Sequence, residues 1–362
     1  MIKLFLITLL IFALNLPAAD WHSFRGGPNN PGIAKGSISA TPKLKWKFKT
    51  EGNIKGTAIV DQGMVYFGSE DEKVYCLKLE DGSKVWEKKV EDIVEASPLL
   101  LKDSIIIGTG SGQLHRMNKK TGEVVWTFTA GDKFAGAANY YMEGEKPVII
   151  TGNYDNFIYA IDFDTGKKVW AFETENYVNG TPAIYKDKIV FGGCDSTIYM
   201  LNRKGELTGE VDLGSYIAGT VGIEKGFAYI GHYDNKYFKI DLEQKKIVWH
   251  FKRSNFPFFS SPAIGEKIVI FGSRDKRVYG VKKDTGEKIW DFKTRGKVDS
   301  SPIICGDKTV FGSYDGRAYI LERDTGKLLW KYEIGKPIIA APSVVDGHIL
   351  IGASDNVLYV FK

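Results

Sequence analysis

The sequence predicts an all-β fold: an eight-bladed β-propeller of four-stranded antiparallel blades, closed by the N-terminal strand completing the last blade. Three observations carry this. A unit of about 40 residues repeats along the chain. Each unit holds four short strand-like runs separated by tight turns, with no helical period between them. The last unit is one strand short, and an unmatched strand stands before the first.

The repeat is clearest at Gly152-Asn153-Tyr154-Asp155, followed by Tyr159 and by Ala160-x-Asp162-x-x-Thr165-Gly166-x-x-x-Trp170. The leading glycine recurs at Gly68, Gly108, Gly192, Gly231, Gly272, Gly312 and Gly352. The tryptophan recurs at Trp46, Trp86, Trp126, Trp249, Trp290 and Trp330. In the second unit strands are expected over 97–101, 104–108, 113–118 and 123–129. Lys102-Asp103 and Asp346-Gly347 read as two-residue hairpins, and the Thr-Gly glycine supplies the positive φ of a tight turn. The final unit, 336–362, has three strands. Residues 43–50, around Trp46, supply the fourth, which leaves no open sheet edge in the ring.

The chain therefore divides into 1–19, 20–42 as a lead segment, and 43–362 as the propeller. In 1–19, Lys3 precedes an apolar run and Pro17-Ala18-Ala19 offers small residues for cleavage, which reads as a secretory signal peptide. The run is too short to span a bilayer; an uncleaved N-terminal anchor is the alternative. With no cysteine at the cleavage site, the protein is expected to be exported, periplasmic or extracellular, and not a lipoprotein. The mature chain is expected to carry no transmembrane segment. A net charge of +5 without a dense Lys/Arg run argues against nucleic acid as a partner. Cys76, Cys194 and Cys305 fall on units one, four and seven, too far apart around a ring to pair, so three free thiols are expected.

The recurrent residues read as structure. The tryptophans are expected to pack between adjacent blades. The turn aspartates (Asp155 and its counterparts) are spread one per blade, which suits capping their own turns better than sharing a metal ion. His115 replaces the repeat tyrosine and is expected to be buried and hydrogen-bonded. The histidines lack metal-ligand spacing, and no Gly-x-Ser-x-Gly elbow occurs. No catalytic, cofactor-binding or metal-binding residue is assigned.

The pattern Ala-x-Asp-x-x-Thr-Gly-x-x-x-Trp resembles the repeat of the PQQ-type, quinoprotein-like propeller superfamily, as does the opening Trp21-His22-Ser23-Phe24-Arg25-Gly26. WD40 propellers share the period but end blades in Trp-Asp; here the tryptophan is followed by residues such as Glu87, Thr127, Ala171 and Lys331, with Asp only at Asp291. The resemblance implies the fold and leaves the function between groups. PQQ-dependent dehydrogenases of the superfamily place their quinone beside a disulfide of adjacent cysteines and bind calcium. This sequence has no adjacent cysteines and almost no insertions between units. Scaffolds of the BamB family, from the outer-membrane assembly machine, match in size, blade count and export. The expectation is an exported non-catalytic protein-interaction scaffold of the cell envelope, without cofactor. It would work as a monomer or as a subunit of a complex, with envelope proteins as partners. A PQQ-dependent dehydrogenase and a carbohydrate- or peptide-binding propeller are the alternatives.

The candidate binding face carries the blade-to-blade links together with the turns between second and third strands. The links contribute Phe134, Tyr177, Tyr216 and Phe256-Pro257-Phe258-Phe259; the turns contribute Tyr154, Tyr233 and Tyr314, with Arg274 at the same repeat position. Arg253, Arg295 and Asp299 add charge. Aromatics with arginines are the usual composition of contact hot spots. The link at Phe256 is one residue longer than the others, so Phe256, Phe258 and Phe259 are expected to bulge outward. The alternative is that they fill the narrow end of the ring.

Overall fold

Inner strands are apolar at consecutive positions because a blade inside a propeller is covered on both faces. Leu99–Leu101 and Ile105-Ile106-Ile107 are buried throughout. Outer strands alternate instead, as in Val124–Thr129, where Trp126 and Phe128 are half-buried between exposed neighbours. The computed structural model describes residues 20–253 and 255–362, so the expected signal peptide lies outside them.

The strands form eight four-stranded antiparallel sheets, one of which gains a fifth short strand; no helix occurs among the described residues. Blade 1 comprises Ile59–Asp61, Met64–Ser69, Lys73–Lys78 and Lys84–Lys89. Blades 2 to 7 follow in the same order from Leu99, Asn139, Ala183, Gly222, Ala263 and Ile303. Blade 8 has Ser343–Val345, His348–Gly352 and Val357–Phe361, and Leu44–Lys49 pairs antiparallel with the last of these. The N-terminal strand thus closes the ring as expected. The first strand of blade 2 starts at Leu99, later than the sequence suggests. Ser97 is instead engaged by the neighbouring blade, its Oγ accepting from Thr57 N at 2.7 Å.

Each outer strand carries a register shift beside the tryptophan position, and such bulges twist an exposed edge away from further pairing. The tryptophans bind blade to blade. Trp46 Nε1 donates to Leu79 O at 2.9 Å, and its ring covers Gly82, where a Cβ would come within 2.7 Å. The same pair of contacts recurs for Trp86 with Lys119 and Gly122, and for Trp126 with Phe163 and Gly166.

The lead segment is part of the ring's inner wall. Carbonyls of Trp21, His22, Pro28, Asn29, Pro31 and Gly32 accept from Val60, Leu100, Ile184, Ile223, Ile264 and Ile304, all on innermost strands. Ile33–Ala34 adds a parallel strand to Ile303–Cys305. The segment therefore runs past blades 1, 2, 4, 5, 6 and 7 in turn. Arg25 is fully buried within it and donates to Pro262 O at 2.7 Å, Ser301 O at 3.0 Å and Pro302 O at 2.5 Å. Burial without a facing carboxylate pushes its pKa down to about 9, which still leaves it protonated at neutral pH.

Candidate binding face

A ring of small hydroxyls surrounds the axis. Backbone N–H groups of Thr57, Ala137, Thr181, Thr220 and Ser261 donate to the side-chain oxygens of Ser97, Thr181, Thr220, Ser261 and Ser301 in the next blade. Above this ring, on the link side, lies a funnel of about 260 Å³ whose lining includes Phe24, Lys55, Glu95, Asn179, Phe259 and Asp299. Phe24 belongs to the lead segment, so the same segment that lines the inner strands also contributes to the funnel.

Most polar groups around the mouth are already engaged. Lys55 Nζ lies 2.5 Å from both Glu70 and Glu95. Burial works against its charge, but the two carboxylates outweigh burial and hold the ammonium above its ordinary pKa. Across the funnel Arg274 donates to both oxygens of Asp299, at 2.9 and 2.8 Å, and its guanidinium stacks 3.8 Å over Phe259. Tyr154 donates to Asn179 Oδ1, stacks on Tyr177 at 4.9 Å and lies under Lys133 at 4.3 Å. Tyr314 sits under Lys297 at 4.0 Å, and burial raises its pKa. Tyr233 lies between Tyr216 and Phe259, at 6.3 and 6.0 Å. Arg295 is exposed; its backbone N–H donates to Asp315.

The three link phenylalanines separate. Phe256 is 52% exposed, Phe259 lines the funnel, and Phe258 is fully buried. This corrects the expectation that all three bulge outward. Phe258 packs on Tyr237 and Phe271 at ring distances of 5.7 and 5.4 Å, and its Cβ lies 2.4 Å from where a side chain of Gly231 would begin. Every link has such an anchor over the leading glycine of its repeat: Val94 on Gly68, Phe134 on Gly108, Val178 on Gly152 and Ile217 on Gly192. The glycine of each repeat is required there because the anchor occupies the space of its side chain. Phe134 is accordingly buried as well, not a surface aromatic.

The turn aspartates do more than cap their own turns. Asp155 accepts from Phe157 N within its turn, but also from Gly131 N in the preceding link and from the Tyr159 hydroxyl. Asp195 and Asp315 repeat the arrangement. His115 is buried, with Thr127 and Glu91 each 2.8 Å from one of its ring nitrogens. The three cysteines are free thiols.

Sequence reading missed Lys55, Glu70, Glu95 and Asn179. Aligning the links on their buried anchors would have found all but Glu70, because Lys55, Glu95, Asn179, Phe259 and Asp299 each directly follow one, whereas Glu70 lies on the turn of blade 1. It also missed Asp20, His22 and Asp61, the one group of three potential metal ligands among the described residues. There Lys119 Nζ already lies 2.6 Å from Asp61.

The dehydrogenase branch of the fold implies a carboxylated quinone on the axis with calcium beside it. The cations nearest the funnel are not free to meet such a quinone's carboxylates. Lys55, which lines the funnel, and Arg274, which lies behind Phe259 and Asp299, are already engaged by carboxylates, and the rest of the wall mixes alanine and glycine with serine and threonine hydroxyls. Recruiting either cation for a quinone would cost its existing pair.

A family model described as outer membrane protein assembly factor BamB matches over residues 36–104, 94–216, 194–338 and 274–362. BamB of Shewanella oneidensis is 24% identical over 173 residues, 44% of this chain and 42% of that protein. The quinoprotein ethanol dehydrogenase of Pseudomonas putida is 28% identical over 163 residues, 38% of this chain and 26% of the enzyme. The matched part is thus less than half the length of either curated relative. The crystal structure of BamB from Moraxella catarrhalis superposes with a TM-score of 0.73 at 21% identity, covering 89% of this chain and 98% of that one; at that identity the likeness concerns the fold.

Proposed function

This chain belongs to the family of outer membrane protein assembly factor BamB, and on that premise we propose that it is an exported, non-catalytic propeller that holds envelope proteins through its link face. The observation that carries the reading is the character of that face. Tyr177, Tyr216, Tyr233 and Phe256 stand 45 to 57% exposed along the rim, while the charges at the axis are paired with one another. A surface built this way offers aromatic anchors to a macromolecule and few free groups to a small substrate. The chain works without a resident quinone, and it acts after export to the envelope. Among the described residues no helix is long and apolar enough to cross a membrane.

The test is cross-linking in intact cells followed by purification of the mature chain. Recovery with proteins that assemble the outer membrane supports the reading; recovery of the chain uncross-linked to any envelope protein overturns it. A second arm adds PQQ and calcium with alcohols and an electron-acceptor dye. Turnover above about 1 per second would replace the scaffold by an enzyme.

A further inference from the structure

Charge on the link face is unevenly spread around the ring. Glu51 and Glu91 stand exposed on the links entering blades 1 and 2, with Asp92 half-buried beside Glu91. Arg253, Arg295 and Lys336 stand exposed on the links entering blades 6, 7 and 8, and Lys276 is exposed on the turn of blade 6. The links of Glu91 and Arg253 are four steps apart in a ring of eight, on opposite sides of the axis. The basic side also carries the exposed ring of Phe256, which together with Arg253 lines an open depression of about 360 Å³. Arg274 and Arg277 are tied to Asp299 and Asp291, whereas Arg253, Lys276 and Arg295 have no carboxylate within ion-pair distance among the described residues.

We infer that the basic, aromatic sector of blades 6 and 7 seats an acidic segment of a partner protein. This rests on the scaffold reading above and adds to it the sector and the partner's charge. Charge complementarity selects an anionic occupant. The spacing of the charges selects a polypeptide over a dense polyanion. Fixed carboxylates, Asp275, Asp299 and Asp315, alternate with the free cations, each held by its own structural bonds. A nucleic acid or an anionic membrane would press continuous negative charge onto them. A peptide can set separated acidic side chains on Arg253 and Arg295 and rest an apolar one on Phe256.

The test uses the mature chain and fluorescence anisotropy. Probes are a labelled glutamate-rich peptide carrying two phenylalanines, its lysine counterpart, a DNA oligonucleotide of equal charge, and phosphatidylglycerol vesicles. The acidic peptide is expected to bind in preference to the other three. The double variant Arg253→Glu, Arg295→Glu should weaken it about tenfold or more. The same charge change at Lys120 and Lys204, on the opposite face, should leave it nearly unaltered. Equal loss in both variants, or stronger binding of DNA or vesicles, overturns the inference. Absence of peptide binding while cross-linking still recovers assembly proteins removes the inference and leaves the scaffold reading standing.

Discussion

Lys245 fills the place over Gly209 that a tryptophan ring fills over a glycine elsewhere in the ring. Its Cε lies 2.7 Å from where a side chain of Gly209 would begin, and its Nζ donates to Thr208 O at 2.5 Å. In the pairs before and after, the order is reversed: Trp170 covers Gly205, and Trp249 covers Gly286. Blade 4 has lost its tryptophan, and blade 5 has replaced its turn glycine by a residue long enough to reach back. Lys245 keeps the positive φ of that glycine, at 54°.

The exchange predicts a coupled pair. Gly209→Trp alone must displace the lysine stem, and Lys245→Gly alone leaves the outer strand of blade 4 uncovered. The double variant restores the arrangement of the other blades and relieves a non-glycine residue in the left-handed region. In a double-mutant cycle by thermal or denaturant melting, the two changes together should be more stabilising than their sum by about 1 kcal/mol. Additive effects would show that the positions do not share one space.

Arg25 predicts the worth of the lead segment. Its guanidinium is the one side chain of the segment that reaches the carbonyls of Pro262, Ser301 and Pro302 together. Arg25→Met fills similar volume but strands those acceptors, and the expected loss is roughly 3 kcal/mol or more. Arg25→Lys keeps the charge yet lacks the planar fork, and should recover only part of it. Melting of Arg25→Met at the native temperature would mean that the segment is an ornament on a ring that holds itself.

The repeat made the blades legible because each side chain that defines it meets a fixed partner, in its own blade or in the next. Trp86 needs Gly122, Val94 needs Gly68, and Tyr159 needs Asp155, so spacing alone carried the architecture and the closing strand. The lead segment was opaque for the opposite reason. Its contacts with the inner strands run largely through backbone carbonyls, which leave no pattern in side chains. Phe258 was misread because length showed that the link bulges but not which side chain turns inward. The missing clue was Gly231, whose bare Cα calls for an anchor as Gly108 calls for Phe134.

His232 predicts an acid-sensitive step. It is buried, both ring nitrogens lack a hydrogen-bond partner among the described residues, and its ring lies 4.9 Å from Phe238. Burial lowers its pKa below the ordinary 6.5. The unfolded chain therefore binds this proton more readily than the folded one. The stability contribution is fully present above pH about 6.5 and is lost as pH falls through the lowered value. His348 acts in the same direction, its pKa lowered by burial and by Lys362 and Lys45. His232→Ser installs the residue found there as Ser69, Ser273 and Ser313 in other blades. It should flatten the fall in stability below pH about 6.5, leaving the part due to His348. An unchanged pH profile would place the acid sensitivity elsewhere.

Phe256 and Phe258 predict two different phenotypes from neighbouring positions of one link. Phe258 sits against Tyr237 and Phe271 and closes the space over Gly231, so Phe258→Ser both opens a cavity and buries a hydroxyl. Losses of about 3–5 kcal/mol are usual for truncating a buried phenylalanine, and partner binding should fall only with the folded fraction. Phe256→Ser removes an exposed ring, so its melting should stay within about 0.5 kcal/mol of the parent. The ring nevertheless stands beside Arg253 on the rim, where an apolar side chain of a partner would rest. Binding by the folded Phe256→Ser protein should therefore weaken, seen as faster dissociation at unchanged stability. The Phe258 variant measured in parallel separates the effects. If Phe256→Ser binds like the parent while Phe258→Ser loses binding beyond its folded fraction, the contact lies at the funnel wall beside Phe259, and the exposed rim is not the docking site.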